Sequence, residues 1–348
     1  MQPVAEAPMR VVNAVAPIRV CDNGGWTDTW FAGHGKVFNV GVYPYVEVQV
    51  KVHPAGGLAD RIVLDAENYG ERYTFAPGVL PDRHPLLEAA VDEIGVPDDR
   101  SVEISIYSEA PIGCSTGTSA AVTVALIGAL DSLTAGRMTP HEIAYAAHRI
   151  EVERLGLQSG IQDQLCAAYG GINYIEMFSY PHASVSQLWV PNTMWSDLER
   201  RLLLVFLGRT HVSSRIHEEV IADLERHGAR CPELEELRGA AEEARDALYA
   251  ADLAALGRAM THNNDLQRRL HPSLVSREAE AAIDVATANG ALGWKVNGAG
   301  GEGGSITVLC GADMHIKRQL MAALRDADPL FQIIPTYLSR YGLRVWES

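Results

Sequence analysis

Three stretches and one pair of carboxylates have the residue types and spacing that chemistry asks for. The loop A-P-I-G-C-S-T-G-T-S-A-A (110–121) leaves an alternating stretch and enters an apolar one. Its small residues let a backbone approach a ligand closely. Amides at a helix start, with the positive end of the helix dipole, favour phosphate. The Thr118 and Ser119 hydroxyls stand where they could reach a phosphate or Mg2+, which prefers oxygen ligands. The loop is neither G-x-x-x-x-G-K-[ST] nor G-x-G-x-x-G, and it also suits a small-residue helix entry packed on a sheet. A second loop, G-A-G-G-E-G-G (298–304), is either a flexible hairpin or a backbone pressed against a ligand or the first loop. Between them, Glu151 falls near the end of one helix and Asp163 at the mouth of another, where a carboxylate can also be no more than a cap. The stretch R-V-C-D-N-G-G-W-T-D-T (19–29) suits a polar turn as well as a segment that holds a substrate.

The elements that position these groups are legible from periodicity. Residues 36–50 alternate and are rich in Val, Tyr and Phe, which predicts a strand. Residues 61–64 and 72–75 are shorter candidates, and S-V-E-I-S-I-Y (101–107) alternates like a half-buried strand. H-P-L-L-E-A-A-V-D-E-I (84–94) has helical spacing, and A-A-V-T-V-A-L-I-G-A-L (120–130) is apolar on every side, which predicts a helix buried in the core. Thr139, Pro140 and Glu142 form the pattern of a capped helix start. Leu202–Leu207 reads as a short strand and residues 214–290 as mostly amphipathic helix. Strands at 295–297 and 305–310 flank the second glycine loop, and a helix (313–327) and a last strand follow. A strand-rich first half and a helix-rich second half predict an α+β protein of two lobes, 1–190 and 191–348.

Bulk properties narrow the function. The chain has 348 residues, 47% of them hydrophobic and 21% charged, as in globular proteins. A net charge of -15 argues against nucleic acid or an acidic membrane as partner, since both need a basic face. A local phosphate site is still compatible with it, because distant charge is screened within ~10 Å. No apolar run is long enough to span a bilayer, and no signal peptide is evident, so a cytoplasmic protein is expected. The five cysteines are scattered with no C-x-x-C pair, which suggests buried, inert thiols.

Taken in order, the segments resemble the GHMP kinases, the superfamily of galactokinase, homoserine kinase and mevalonate kinase. P-I-G-C-S-T-G-T-S-A-A (111–121) resembles the second motif, usually P-x-G-x-G-L-G-S-S-A-A, and K-V-N-G-A-G-G-E-G-G (295–304) the third, usually K-x-x-G-A-G-G-G-G. R-V-C-D-N-G-G-W-T-D (19–28) resembles the first, and G-I-Q-D-Q (160–164) the segment that holds the catalytic aspartate of the sugar kinases. G-G-W-T-D-T is similar to L-fucokinase, and G-K-V-F-N-V-G-V to the bacterial heptose-7-phosphate kinases.

The resemblance implies a two-lobed fold with its active site in the cleft, ATP and Mg2+ as cofactors, and a sugar or sugar phosphate as acceptor. Gly113, Cys114, Ser115, Thr116, Gly117, Thr118 and Ser119 would cradle the phosphates, with Gly300 and Gly301 closing on the nucleotide. Ser119 and Glu151 would hold Mg2+. Asp163 would orient or deprotonate the attacking hydroxyl, and Arg19 would counter charge beside it. Gly25, Trp26 and Asp28 would bind the sugar, with Thr210 and His211 near it. The implied reaction is transfer of the γ-phosphoryl group to a sugar hydroxyl, the anomeric one of a heptose 7-phosphate or a fucose-like sugar. A kinase for a cyclitol or other small polyol, a non-catalytic nucleotide- and sugar-binding sensor and a decarboxylase of the same superfamily are the alternatives. Either a monomer or a homodimer fits. Three departures stand out: Ser115-Thr116 in place of Gly-Leu, the polar run Cys21-Asp22-Asn23, and Glu302, whose charge should face solvent or a cation rather than phosphate.

Overall fold

The alternation read over 36–50 becomes a 20-residue strand, and the first sheet is built around it. The structure is a computed structural model and describes residues 8–209 and 215–348, with side chains from residue 217 onward in the second segment. β1 (Arg10–Asn23) runs antiparallel to β2 (Gly35–Pro54) along most of its length. β3 (Ile62–Ala66) and β4 (Glu71–Thr74) form a hairpin, and after α1 (Pro85–Ile94) β5 (Arg100–Ser108) inserts between β3 and β2, parallel to the former. Three helices follow: α2 (Thr118–Asp131), α3 (Pro140–Arg149) and α4 (Gln162–Tyr169). β6 (Ile172–Ser179) then pairs with the Gly35–Val40 half of β2, which β5 leaves open, and β7 (His182–Gln187) pairs with β6.

The second half starts with α5 (Asn192–Arg201) and β8 (Leu202–Phe206). α6 (Arg215–His227), α7 (Pro232–Tyr249), α8 (Leu253–Leu270) and α9 (Arg277–Ala288) supply the helical run that the amphipathic pattern predicts. β9 (Ala291–Val296), β10 (Ser305–Cys310), α10 (Met314–Ala327) and β11 (Gln332–Ile334) complete an antiparallel four-stranded sheet in the order β11-β8-β10-β9. The chain then returns to the first sheet, where β12 (Tyr337–Leu338) pairs with β2 and β13 (Arg344–Glu347) with the outer edge of β1. The result is the expected α+β architecture, with α7 and α8 of the second half packed on β1 and β2 of the first.

Two local predictions explain how the site is held. Every residue of α2 from Ala120 to Asp131 is buried except Val122, as a helix apolar all round must be. Full burial of Leu126, Ile127 and Leu130 contributes roughly 1.5–3 kcal/mol each. α3 opens with a complete capping box: the Glu142 amide donates to Thr139 Oγ1 at 3.3 Å, and the Thr139 amide donates to Glu142 Oε2 at 2.7 Å. Its last turn widens into a single π turn over Ile150–Arg154, a local distortion that often marks function. All five cysteines are buried, and burial pushes the Cys21 thiol up to about 12.

Candidate active site

The loop at 113–119 borders a cavity of about 500 Å³. Apolar Ala66, Leu86, Leu87, Ile106, Ile112 and Val122 line one end of it and the loop the other. A second cavity of about 800 Å³ is lined by Gly25, Trp26, Asp28, Trp30, Phe31, Glu151 and Gln162, among others. The two share Arg19, Leu86, Ser119, Asp163, Gly298 and Ala299. Asp163 and Ser119 are the two shared residues whose side chains offer oxygen to both cavities.

Backbone conformation shapes the loop. Ser115 has φ 57° and Gly117 φ 70°, both in the left-handed region that glycine favours, and turns of this kind aim successive amides into a concavity. Ser115 thus adopts, at a small strain, the conformation of the glycine it replaces. The loop is held from two sides: the Arg19 amide donates to Thr116 O at 2.9 Å, and Ser305 Oγ donates to Cys114 O at 2.6 Å.

Arg19, in β1, grips Asp163, in the first turn of α4, with a two-pronged contact: Nε to Oδ1 at 2.8 Å and NH2 to Oδ2 at 3.2 Å. Its third nitrogen, NH1, donates to Ser115 O at 2.5 Å. Burial of Arg19, 5% exposed, works against its charge, but Asp163 and then Asp22 outweigh this and its guanidinium is raised above the usual range. Asp28 is buried and accepts from the Gln162 amide at 2.9 Å. Burial pushes its carboxyl up to about 6; the Gln162 amide opposes this and the Asp163 charge adds to it. Glu151 sits on the π turn. Its Oε2 accepts from Gln164 Nε2 at 2.8 Å, while Oε1 is buried and has no partner among the described residues. Burial pushes Glu151 up to about 7; the Ser159 hydroxyl and the Gln164 amide oppose this and the Asp163 charge adds to it.

Residues 85–171 match the GHMP kinases N terminal domain and residues 244–322 the GHMP kinases C terminal domain, in that order. The chain is 30% identical over 310 residues to the mevalonate kinase of Thermococcus sibiricus, covering 86% of this chain and 85% of that one. The chain belongs to the GHMP kinases. It is also 29% identical over 250 residues to the D-glycero-alpha-D-manno-heptose 7-phosphate kinase of Campylobacter jejuni, covering 71% of each. Its fold matches that of the galactokinase of Lactococcus lactis solved with galactose, with a TM-score of 0.76 at 16% identity over 96% of this chain and 95% of that one.

In this GHMP kinase the residues expected to cradle phosphate, Gly113 through Ser119, all line the first cavity. Asp163 and Arg19 lie at its junction with the second, and Gly25, Trp26, Asp28, Glu151 and Ser119 line the second. Gly300 and Gly301, expected to close on the nucleotide, line neither cavity. The Gly300 carbonyl meets the His217 ring nitrogen at 2.9 Å, and the Gly301 amide donates to Leu274 O at 2.8 Å. Gly298 and Ala299 are the residues of that loop that reach the cavities. Glu302 is exposed and lines neither, as its charge requires. Thr210 and His211 lie outside the described residues. Sequence reasoning missed Gln162, although it stands next to Asp163, and it missed His217, whose only signal was its place at the start of an amphipathic helix. Among the described residues, no helix is long and apolar enough to cross a membrane.

Proposed function

We propose that this GHMP kinase is an ATP- and Mg2+-dependent sugar kinase that transfers the γ-phosphoryl group to a sugar hydroxyl, the anomeric hydroxyl of a fucose-like sugar or of a heptose 7-phosphate. The observation that carries the reading is the position of Asp163, gripped by Arg19, on the wall common to both cavities. Phosphoryl transfer needs mainly positioning and charge stabilisation where two ligands meet. The first cavity suits a nucleotide, with apolar walls for a base and a cradle of amides for phosphates.

The acceptor oxygen would attack the γ-phosphorus as its proton passes to Asp163 and ADP leaves with the bridging oxygen. Arg19 would hold Asp163 in place and counter the charge on the transferring group. The residues present fit Mg2+: Glu151 Oε1 is a buried oxygen without a partner and the Ser119 hydroxyl lines the same cavity, a hard oxygen set for an ion that completes its shell with phosphate and water. When bound, Mg2+ would neutralise charge on the ATP phosphates.

The lining of the second cavity supports a sugar over mevalonate. Asp28, Glu151 and Asp163 offer acceptors to hydroxyl donors, and Trp26, Trp30 and Phe31 offer apolar faces to a ring. A mevalonate carboxylate would meet like charge there. ATP turnover against free hexoses, 6-deoxy sugars, heptoses, their phosphates, cyclitols and mevalonate tests the reading. Turnover with a sugar and none with mevalonate is expected. Turnover with mevalonate alone, or nucleotide and sugar binding without any turnover, would overturn it.

A further inference from the structure

Within the polar run Cys21-Asp22-Asn23, Asp22 lines the second cavity but is already engaged elsewhere. Asp22 is fully buried, and each of its oxygens already holds a donor: Lys295 Nζ at 3.1 Å on Oδ1 and the Gly298 amide at 2.9 Å on Oδ2. Lys295 is also buried and reaches Gln267 Oε1 at 3.3 Å and Val296 O at 2.7 Å. Gln267, buried in turn, donates from Nε2 to Gly298 O at 2.8 Å. The result is a closed ring, Asp22–Lys295–Gln267–Gly298, in which both polar groups of the Gly298 residue are clamped by buried side chains. Gly298 lies on the wall shared by the two cavities, and it fits closely: a Cβ there would stand 3.0 Å from Ser115 O and 3.3 Å from Arg19 NH2.

We infer that Asp22, Lys295 and Gln267 are positioning residues for phosphoryl transfer, setting Gly298 against Arg19 and Ser115 so that the arginine fork on Asp163 and the phosphate loop share one fixed geometry. The inference rests on the kinase reading above. The ring spans elements far apart in sequence, from β1 to α8 to β9 and the loop after it, so it fixes the site from the second half of the chain against the first. Charge balance points the same way. Arg19 and Lys295 are both buried and both are favoured in their charged form by Asp22, so one carboxylate serves the ring and the arginine beside it.

The test separates positioning from stability. In the double variant Asp22→Leu/Lys295→Met the charges vanish together, and apolar replacement of a buried pair is commonly neutral or stabilising. The Gly298 amide nevertheless loses its acceptor. The expected result is a Tm close to that of the parent, an acceptor KM within about threefold and a kcat lower by ~30–100-fold, the scale on which a misplacement of about 1 Å acts. Gln267→Met, which frees the Gly298 carbonyl and takes one acceptor from Lys295 but leaves the Asp22–Lys295 contact in place, should give the same split and decides the matter if the double variant fails to fold. Parental kcat in a folded variant of either kind would show that the ring serves stability alone and overturn the inference. Loss confined to acceptor KM would overturn it too, by assigning Asp22 to acceptor binding. Absence of turnover by the parent chain with every acceptor would overturn the kinase reading and this inference with it.

Discussion

Gly117 has no side chain where Asp163 needs the space: a Cβ built on it would lie 3.0 Å from the Asp163 carboxylate carbon. The same glycine caps α2 in the left-handed conformation, so one residue both starts that helix and admits the carboxylate beside it. Gly117→Ala meets both a steric and a conformational penalty. It should lower kcat by ~10²-fold through displacement of Asp163, with a stability loss of about 1–2 kcal/mol. Steady-state kinetics with chemical denaturation checks this. Unchanged kcat in a destabilised variant would separate Asp163 from the chemistry.

Asp28 gives a pH signature. Its carboxyl is raised from 3.8 to about 6, so the folded chain keeps a proton that the unfolded chain has lost across this window. Stability therefore falls as pH rises from about 4 to about 6, by up to ~3 kcal/mol. Asp28→Asn should flatten the curve, seen as the difference between the two proteins in denaturation at pH 4, 5, 6 and 7. Hydroxyl donors bind the ionised form, so acceptor KM should fall as pH rises through about 6 in the parent, and in the variant it should be higher and lose the step near pH 6.

Glu151 carries a cost that a cation would relieve. A buried carboxylate is unfavourable when charged, and burial pushes its pKa up to about 7 against the opposing Ser159 and Gln164 side chains. Glu151→Gln is expected to raise Tm at pH 8, where the parent must bury the charge, and to raise the Mg2+ concentration needed for half-maximal activity by ~10-fold or more. Thermal scans with and without Mg2+ and a Mg2+ titration of turnover measure both. A lower Tm at pH 8 with an unchanged Mg2+ requirement would contradict the assignment.

Away from the site, the Thr139–Glu142 capping box should behave as a plain stability element. Thr139→Ala should cost about 1 kcal/mol in denaturation with kcat unchanged.

What could be read without the structure was local. The capping box at Thr139, the all-apolar α2 and the small-residue loop before it are patterns within a dozen residues, and the structure has the capped helix, the buried helix and the loop at those positions. The stretch at Arg19 was ambiguous because it is two things: strand through Asn23, with Cys21 at φ 56° inside a shift of register, and turn beyond it. Long-range relations were not legible. Asp22 and Lys295 are 273 positions apart, and neither residue type announces a partner in another sheet. Gly300 and Gly301 carry the motif's composition, but only the three-dimensional path of the loop shows that Gly298 and Ala299 face the cavities. The π turn at Glu151 likewise leaves no mark in the helical periodicity of the sequence.

The most direct measurement is the rate of ADP formation by Asp163→Asn beside the parent chain, with its best sugar acceptor and saturating Mg2+ and ATP. Asparagine keeps the shape and some of the contact with Arg19 but cannot take the proton. The account predicts a kcat lower by ~10²–10⁴-fold with ATP affinity within about threefold. Undiminished kcat in Asp163→Asn would contradict it.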